Sequence, residues 1–228
     1  MTTKNFKKSS QILVLSLALL AVSCSKDDDP GTAAGYLSII NASPSLATYN
    51  VYLNNDIMNA AALPLGGTIA YTPIAAGTYD LKFTTASNTE SLLTRSITLN
   101  DSTTSSYFLI GKSGALDLLK VTDHISSGSL KAAVRFINLS PDAPALDLTI
   151  NGAAIVINNQ FYKQASDFVA IDPGTYNFDI KARATGDVKT TLNGVTMAAG
   201  GYYTIFVRGM EIPGDTEHPL AAQLFTNL

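Results

Sequence analysis

The sequence predicts an all-β protein built from two tandem antiparallel immunoglobulin-like β-sandwich modules. Three observations support this prediction. A block of turn and strand residues recurs after 97 positions, short runs alternate between apolar and polar residues, and turn-forming residues separate those runs. Alternation with a period of two places one set of side chains in a core and the other in water. A closed β-barrel has the same local pattern and is the alternative architecture.

The repeat relates two segments that each have the size of a small domain. Nine identities fall on turn and strand positions, and every pair keeps the same offset of 97 without a gap. This period is far longer than the roughly 20–50 residues of solenoid repeats, so each copy is expected to fold around its own core. The matching segments are Ile40–Pro44 with Ile137–Pro141, Asn54 with Asn151, and Ile74–Tyr79 with Ile171–Tyr176.

The first 23 residues are predicted to be a lipoprotein signal peptide. Three lysines precede an apolar stretch of eleven residues, Ile12–Val22, which suits a signal sequence better than a membrane-spanning helix. The run Ala21-Val22-Ser23-Cys24 resembles the lipobox of bacterial lipoproteins. That resemblance implies cleavage between Ser23 and Cys24, and acylation of Cys24.

The alternative is an ordinary secretory signal followed by an incidental cysteine. We favour the lipoprotein because the only cysteine of the chain stands at the position that the lipobox requires. Each buried methylene of an acyl chain contributes about 0.8 kcal/mol, so several chains hold a folded domain at a membrane. The expected partner is therefore a membrane, bound through acyl chains on Cys24.

Residues 24–34 are predicted to be a flexible acidic tether. The run Lys26-Asp27-Asp28-Asp29 is polar, and a Pro-Gly pair follows it. It resembles the surface-export signal of lipoproteins in one branch of Gram-negative bacteria, which implies an outer-membrane protein on the extracellular face. Residues 1–23 contain three of the 15 basic residues and none of the 18 acidic ones, so the remainder has a formal charge of −6. This charge argues against a nucleic-acid partner.

The rest of the chain divides into module 1 (35–125), a short linker (126–131) and module 2 (132–228). Each module has about seven short runs with strand character, and Leu116–Val121 is expected to be the last strand of module 1. The linker, with its run Ser126-Ser127-Gly128-Ser129, is short. We therefore expect the modules to touch or to hinge rather than to move freely.

Three stretches of module 2 resemble a known bacterial family. They are Val134–Leu148 continuing to Asn151-Gly152, Pro173–Tyr176, and Gly200–Phe206. Together they resemble the domain of unknown function 4397, and the resemblance extends over both copies. It implies a β-sandwich in an extracellular setting, and it brings no activity, cofactor or catalytic residue. Module 1 departs from the pattern, because Ser45-Leu46-Ala47 stands where module 2 has Asp142-Ala143-Pro144.

One loop of module 2 is the candidate binding site. Residues 208–219 form a longer segment than the matching place in module 1, and loops carry function on β-sandwiches. Glu211, Asp215, Glu217 and His218 could supply oxygen and imidazole ligands to a cation. We favour a solvated polar hairpin, because the spacing matches no metal signature.

No hydrolase motif occurs, so the prediction is a non-enzymatic protein without a cofactor. Asp142 is expected to cap its own turn. Asp123-His124 is expected to be an exposed loop pair. Tyr79 and Tyr176 are expected to be corner tyrosines with hydroxyls bonded to the backbone, with sugar stacking as the alternative.

The leading functional hypothesis is a lipid-anchored envelope protein with a binding, adhesion or scaffold role. The second is an accessory component of a surface uptake system that binds a glycan or a protein. An exposed row of aromatic side chains on one sheet face would support its sugar-binding form. An envelope hydrolase is the third and weakest hypothesis.

Overall fold

A computed structural model describes residues 1–2, 33–151 and 155–228 of the chain. The described residues from 33 onward form one compact unit of sixteen β-strands and contain no helix. The strands are β1 (Ala34–Asn41), β2 (Tyr49–Leu53), β3 (Asp56–Ile57), β4 (Thr68–Ala75), β5 (Gly77–Thr85), β6 (Leu93–Leu99), β7 (Thr104–Ile110), β8 (Asp117–Thr122), β9 (Ala132–Asn138), β10 (Leu146–Ile150), β11 (Ile155–Gln160), β12 (Val169–Ile171), β13 (Gly174–Ala182), β14 (Val188–Met197), β15 (Tyr202–Arg208) and β16 (Ala221–Thr226).

Each module is a sandwich of two four-stranded sheets. Module 1 has the sheets β4-β1-β7-β8 and β3-β2-β5-β6, and module 2 repeats both orders as β12-β9-β15-β16 and β11-β10-β13-β14. The predicted all-β tandem sandwich is therefore confirmed. Each module has eight strands rather than about seven. In module 1, the two-residue β3 is too short to show an alternating pattern, and in module 2 the same holds for the three-residue β12.

One strand pair in each module is parallel, although all the other pairs are antiparallel. β1 runs parallel to β7, with Ile40 opposite Phe108, and β9 runs parallel to β15, with Ile137 opposite Phe206. Apolar–polar alternation reports the face on which a side chain lies but not the direction of the neighbouring strand. The expectation of purely antiparallel sheets is therefore wrong for these two pairs.

Each sandwich has its own apolar core, in agreement with the size of the repeat. In module 1 the core includes Leu37, Val51 and Phe83, and in module 2 it includes Val134 and Phe178. All five side chains are buried. Burying one such side chain stabilises the fold by about 1.5–3 kcal/mol.

The repeated motifs are structural. The hydroxyl of Tyr79 donates to the carbonyl of Ala75 at 2.8 Å, and that of Tyr176 donates to the carbonyl of Asp172 at 2.7 Å. The corner-tyrosine prediction is confirmed in both modules, since each bond reaches four residues back and closes the turn before a long strand. Asn41 is buried and donates to the carbonyl of Leu63 at 3.1 Å, so it fastens a turn as well.

A third apolar cluster lies between the modules. It joins Ile40 and Phe108 of module 1 to Ile137 and Phe206 of module 2, and the two phenylalanine rings meet edge to face with centroids 5.6 Å apart. Ile40 and Ile137 are paired by the repeat, and Phe108 and Phe206 stand opposite them in equivalent strand pairs, so both modules contribute the same sheet to the interface. The modules touch, as the short linker predicts.

Candidate functional site: the cleft between the modules

The predicted anchor lies outside the described residues. Ser23 and Cys24 belong to the segment 3–32, so the signal cleavage and the lipidation of Cys24 stay predictions. In the part of the chain that the structure does describe, no helix is both long and apolar enough to cross a membrane.

The side chains of the predicted binding loop make ion pairs with other parts of the chain. The Glu211 carboxylate lies 2.6 Å from the Lys189 ammonium, and the Glu217 carboxylate lies 3.0 Å from the Lys112 ammonium. Asp215 is exposed. Within residues 33–151 and 155–228, no three His, Cys, Asp or Glu side chains are arranged to hold a metal ion.

The same loop joins the two modules. The backbone N–H of His218 donates to the carbonyl of Pro44 at 2.7 Å, and the backbone N–H of Leu46 donates to the carbonyl of Thr216 at 3.1 Å. A hydrogen bond from the Gly214 backbone, followed by the nearby Lys112, lowers the pKa of the Glu217 carboxyl. The extra length of this loop in module 2 therefore reaches across to the turn at residues 43–47 of module 1.

The carboxylate of Asp142 mainly caps the loop 208–219. The prediction that Asp142 caps its own turn is therefore wrong. Its carboxylate accepts hydrogen bonds from the backbone N–H groups of Glu211 at 2.8 Å and Ile212 at 2.9 Å. Partial burial raises the pKa of Asp142, but these hydrogen bonds and that of Ser140 outweigh it and hold the pKa below its usual value. The sequence could not show this contact, because it spans about seventy residues.

A buried ion pair connects the modules beside the apolar interface. The guanidinium of Arg135 in β9 bonds to the carboxylate of Asp123, which directly follows β8. Only 2% of the Arg135 side chain and 0% of the Asp123 side chain are exposed. The expectation that Asp123 lies in an exposed loop is therefore wrong, whereas its neighbour His124 is exposed.

Further polar groups form hydrogen bonds with the Arg135 and Asp123 side chains. Tyr71 and Ser106 each donate to the second Asp123 oxygen, at 2.9 and 2.8 Å, and the Arg135 Nε donates to Thr204 at 2.8 Å. Burial, and then the charge of Asp123, raise the pKa of the Tyr71 hydroxyl above its usual range. Removing one member would leave a buried charge without its partner, which costs about 3–5 kcal/mol.

Sequence reasoning missed this network, although one signal for it was present. Arg135 interrupts an apolar strand at a position that matches the small residue Ser38 of module 1. A charge in the middle of a buried strand requires a partner. Its partner Asp123 could not be chosen from the sequence, because the choice depends on how the modules pack.

A cleft of about 620 Å³ opens beside this network, between β8 of module 1 and the segment before and along β12 of module 2. Ligand sites commonly have volumes of about 300–1,000 Å³. Arg135 lies in its wall, with its guanidinium carbon 4.7 Å from the centre of the Phe168 ring. Other lining residues are Val121, Thr122, His124, Lys163 and Tyr202.

Two of the cationic groups at the cleft, Arg135 and Lys163, form ion pairs between the modules. The Lys163 ammonium lies 2.8 Å from the Asp117 carboxylate. The hydrogen bond between them raises the pKa of Lys163 and lowers the pKa of Asp117. The Tyr202 hydroxyl contacts Ser126 at 2.8 Å, which ties the linker to module 2. The geometry is therefore that of a preformed groove with fixed walls.

The exposed aromatic side chains do not form the row that sugar stacking would require. Among the described residues, Tyr36 and Phe161 are the aromatic side chains with large exposed fractions, and they belong to different modules. Phe168 at the cleft is half-buried, with an edge-to-face contact to Tyr202 at 5.0 Å.

The fold and the cleft define a tandem β-sandwich protein with two joined modules. The model of the domain of unknown function (DUF4397) matches residues 35–149 and, in a second match, residues 132–226. The chain belongs to this family, which confirms the resemblance found in its sequence motifs. The two matches share residues 132–149, which include β9.

Two solved structures are similar to the chain at low identity. One is CBMbc, a family CBM26 chain from Eubacterium rectale in complex with maltoheptaose, with 11% identity, a TM-score of 0.27, and coverage of 85% of this chain and 97% of that chain. The other is a candidate cell adhesion protein from Bacteroides eggerthii, with 10% identity, a TM-score of 0.24, and coverage of 86% and 95%. At these values the similarity carries no argument about function. No curated protein matches the chain.

Proposed function

We propose that this protein is a lipid-anchored component of the outer membrane, on the extracellular face, that acts as a non-enzymatic binding or adhesion module. The single observation that supports the binding role is the cleft at the joint of the two modules. The lipobox-like run ending at Cys24 and the acidic residues 27–29 support the anchor and the outward location.

The joint holds the walls of the cleft in place without a ligand. A continuous apolar cluster, the buried pair of Arg135 with Asp123, and the surface pair of Lys163 with Asp117 all cross between the modules. A site that is already ordered loses less conformational entropy when it binds. Such a site suits recognition of a partner at the cell surface.

The engagement of the charged groups supports binding rather than catalysis. Arg135 and Lys163 are both committed to ion pairs that join the modules. A general acid or base must exchange a proton with the substrate during the reaction, which an ion pair of this kind opposes. The cleft therefore offers a shaped surface on which the side chains of Arg135 and Lys163 are held in place.

The anchor is tested by labelling cells with palmitate. The wild-type chain should incorporate the label and partition into detergent, whereas Cys24→Ser should do neither. The second variant replaces Asp27, Asp28 and Asp29 with alanine. It should still incorporate the label, but protease added to intact cells should no longer cleave it, because it should no longer face outward. Equal labelling of the wild type and Cys24→Ser would rule out the anchor.

A further inference from the structure

Among the described residues, β8 pairs only with β7, and its other edge opens onto the cleft. The backbone N–H of Asp123 donates to the carbonyl of Thr104 in β7 at 2.8 Å, so Asp123 faces the ladder between β7 and β8. Because alternate residues of an edge strand face opposite sides, Thr122 and Lys120 direct their backbone groups away from β7. The Arg135 guanidinium confirms this direction, since it approaches the Thr122 carbonyl to 3.4 Å from the cleft side.

The opposite wall contains the edge strand β12, which pairs only with β9 in the part of the chain that the structure describes. The backbone N–H of Ala133 donates to the carbonyl of Gly201 at 2.9 Å, so Ala133 faces β15 and its two neighbours in β9 face β12. The register of β12 on β9 then leaves Ala170 and Phe168 with their backbone groups directed away from the sheet. Both residues line the cleft.

Unpaired backbone groups along a groove are a template for strand addition. An extended peptide that adds to such an edge satisfies them, and side chains on alternate positions provide specificity. β8 has six residues and β12 has three, so β8 offers the longer template. Within residues 33–151 and 155–228, no backbone group bonds to the N–H or the carbonyl of Lys120 or to the N–H of Thr122.

The two faces of β8 at the cleft differ in chemistry. Leu119 and Val121 pack toward the apolar interface between the modules, whereas Lys120 lies on the opposite face and is exposed. Among the described residues Lys120 makes no ion pair. Its ammonium lies 3.4 Å from the carbonyl of Thr98 and 5.7 Å from the centre of the Tyr107 ring. A strand added beside β8 would alternate in the same way, with apolar side chains toward the cleft and acidic side chains beside Lys120.

We propose that the cleft binds an extended segment of a partner protein, with alternating apolar and acidic residues, which adds to the free edge of β8. This inference rests on the proposed binding function and specifies its ligand. The bound segment pairs with the backbone of Lys120 and Thr122, places its apolar side chains near Phe168, and places its acidic side chains beside the Lys120 ammonium.

The probe is a pool of blocked octapeptides in which Val, Ile or Phe alternates with Asp or Glu. With the full-length chain in detergent, saturating peptide should slow amide hydrogen exchange at Lys120 and Thr122 by at least about tenfold. A pool with Lys and Arg in place of the acids should have little effect. An acidic pool with proline at alternate positions should also fail, because proline lacks the N–H of a strand ladder.

Lys120→Pro is the matching change in the protein. It removes an N–H that faces away from β7, so it leaves the β7–β8 ladder intact, and it should weaken peptide binding about tenfold. Lys120→Ala keeps the N–H and removes the charge, so it should weaken binding only two- to fivefold, and salt should remove this difference. Thermal unfolding of both variants checks that the fold is retained.

Peptides with N-methyl groups test the geometry without changing the protein. Methylation of every second amide blocks one edge of the peptide, so one of the two alternating patterns should abolish binding and the other should retain it. Equal effects of both patterns, wild-type binding by Lys120→Pro, or protection confined to another edge would each overturn strand addition.

The failure of this inference is distinguishable from that of the proposed function. If glycans on an array bind at the cleft and the peptide pools do not, the peptide proposal is wrong and the binding role stands. If neither class binds, both the peptide proposal and the binding role of the cleft fail. The anchor is decided separately, by the palmitate label.

Discussion

Asn227 and Asp123 occupy equivalent positions in the two modules, and their side chains hydrogen-bond to each other. Each residue directly follows the last strand of its module, and the Asn227 Nδ2 donates to the Asp123 Oδ1 at 3.2 Å. The packing of the modules thus brings two copies of one position together. Two aspartates there would repel, whereas an amide beside a carboxylate supplies a donor.

Asn227→Asp should destabilise the chain in a pH-dependent way. The introduced carboxyl would lie beside Asp123, so its pKa in the folded state should be raised above the unfolded value of about 3.9. A raised carboxyl pKa gives a deficit that grows as pH rises and shrinks as pH falls. In urea unfolding we expect a loss of about 1–3 kcal/mol at pH 7 and a much smaller loss near pH 4.

The control is Asn227→Leu, which removes the hydrogen-bond donor without adding a charge. Its deficit relative to wild type should be nearly constant between pH 4 and 7. If Asn227→Asp shows the same flat deficit, repulsion between the two carboxylates is not the cause.

Arg135→Met should be among the most destabilising single changes at the joint. It leaves the Asp123 carboxylate buried without its cation, at a cost of about 3–5 kcal/mol. Adding Asp123→Asn should recover part of that loss, because the double variant has no buried charge. Unfolding free energies of the two single variants and the double variant give the coupling energy, and strict additivity would contradict a direct ion pair.

Phe206→Glu should separate the modules without unfolding either sandwich. Phe206 is fully buried against Phe108 in the cluster between the modules, and each module has a separate core. A carboxylate there would need water, so the interface should open. We expect a larger radius of gyration in small-angle X-ray scattering, and two unfolding transitions in place of one.

The matched control for this change is Leu148→Ala, in the core of module 2. It should cost about 2–5 kcal/mol and leave the radius of gyration of the folded protein unchanged. Equal scattering curves for wild type and Phe206→Glu would show that the apolar cluster is not what holds the modules together.

The two modules could be predicted from the repeat, whereas the joint between them could not. Tyr79 and Tyr176 follow the same turn motif, so local sequence was enough to assign their role. Strands with both faces buried carry a partial signal for the interface, since Tyr107–Ile110 in β7 and Ile205–Val207 in β15 are unbroken apolar runs. The pairing of Arg135 with Asp123 depends on tertiary packing, which no spacing rule supplies.

The candidate site was also predictable only in part, because local features appear in the sequence and contacts between the modules do not. The length of the loop in module 2 is visible in the sequence, but its contacts with module 1 cannot be predicted from that length. Glu217 pairs with Lys112 of the other module, and the loop backbone contacts the turn around Pro44. The cleft itself arises from the relative placement of β8 and β12, which belong to different copies of the repeat.

Tyr176→Phe should weaken the corner of module 2 by about 1 kcal/mol, since it removes one hydrogen bond to the backbone and keeps the ring. Tyr79→Phe should have a similar effect in module 1, and the double variant should be additive, because the two corners share no hydrogen-bond partner. Thermal or urea unfolding measures both. No change in either variant would show that these bonds are replaced by water at no cost.

Asp142→Asn should reduce stability at neutral pH and have little effect in acid. Its pKa is held low: burial opposes this, but the backbone N–H groups of Ile212 and Glu211 favour the charged form. A lowered carboxyl pKa contributes stability above the unfolded value of about 3.9, and this contribution is lost as pH falls through the folded pKa. The difference in unfolding free energy between wild type and Asp142→Asn should therefore shrink below about pH 4. Asp215→Asn removes the same charge from the exposed part of the loop, where Asp215 makes no side-chain hydrogen bond among the described residues, so it should leave the loop in place. Protease cleavage within residues 208–219 should accelerate only in Asp142→Asn, and equal cleavage of both variants would mean that Asp142 does not hold the loop.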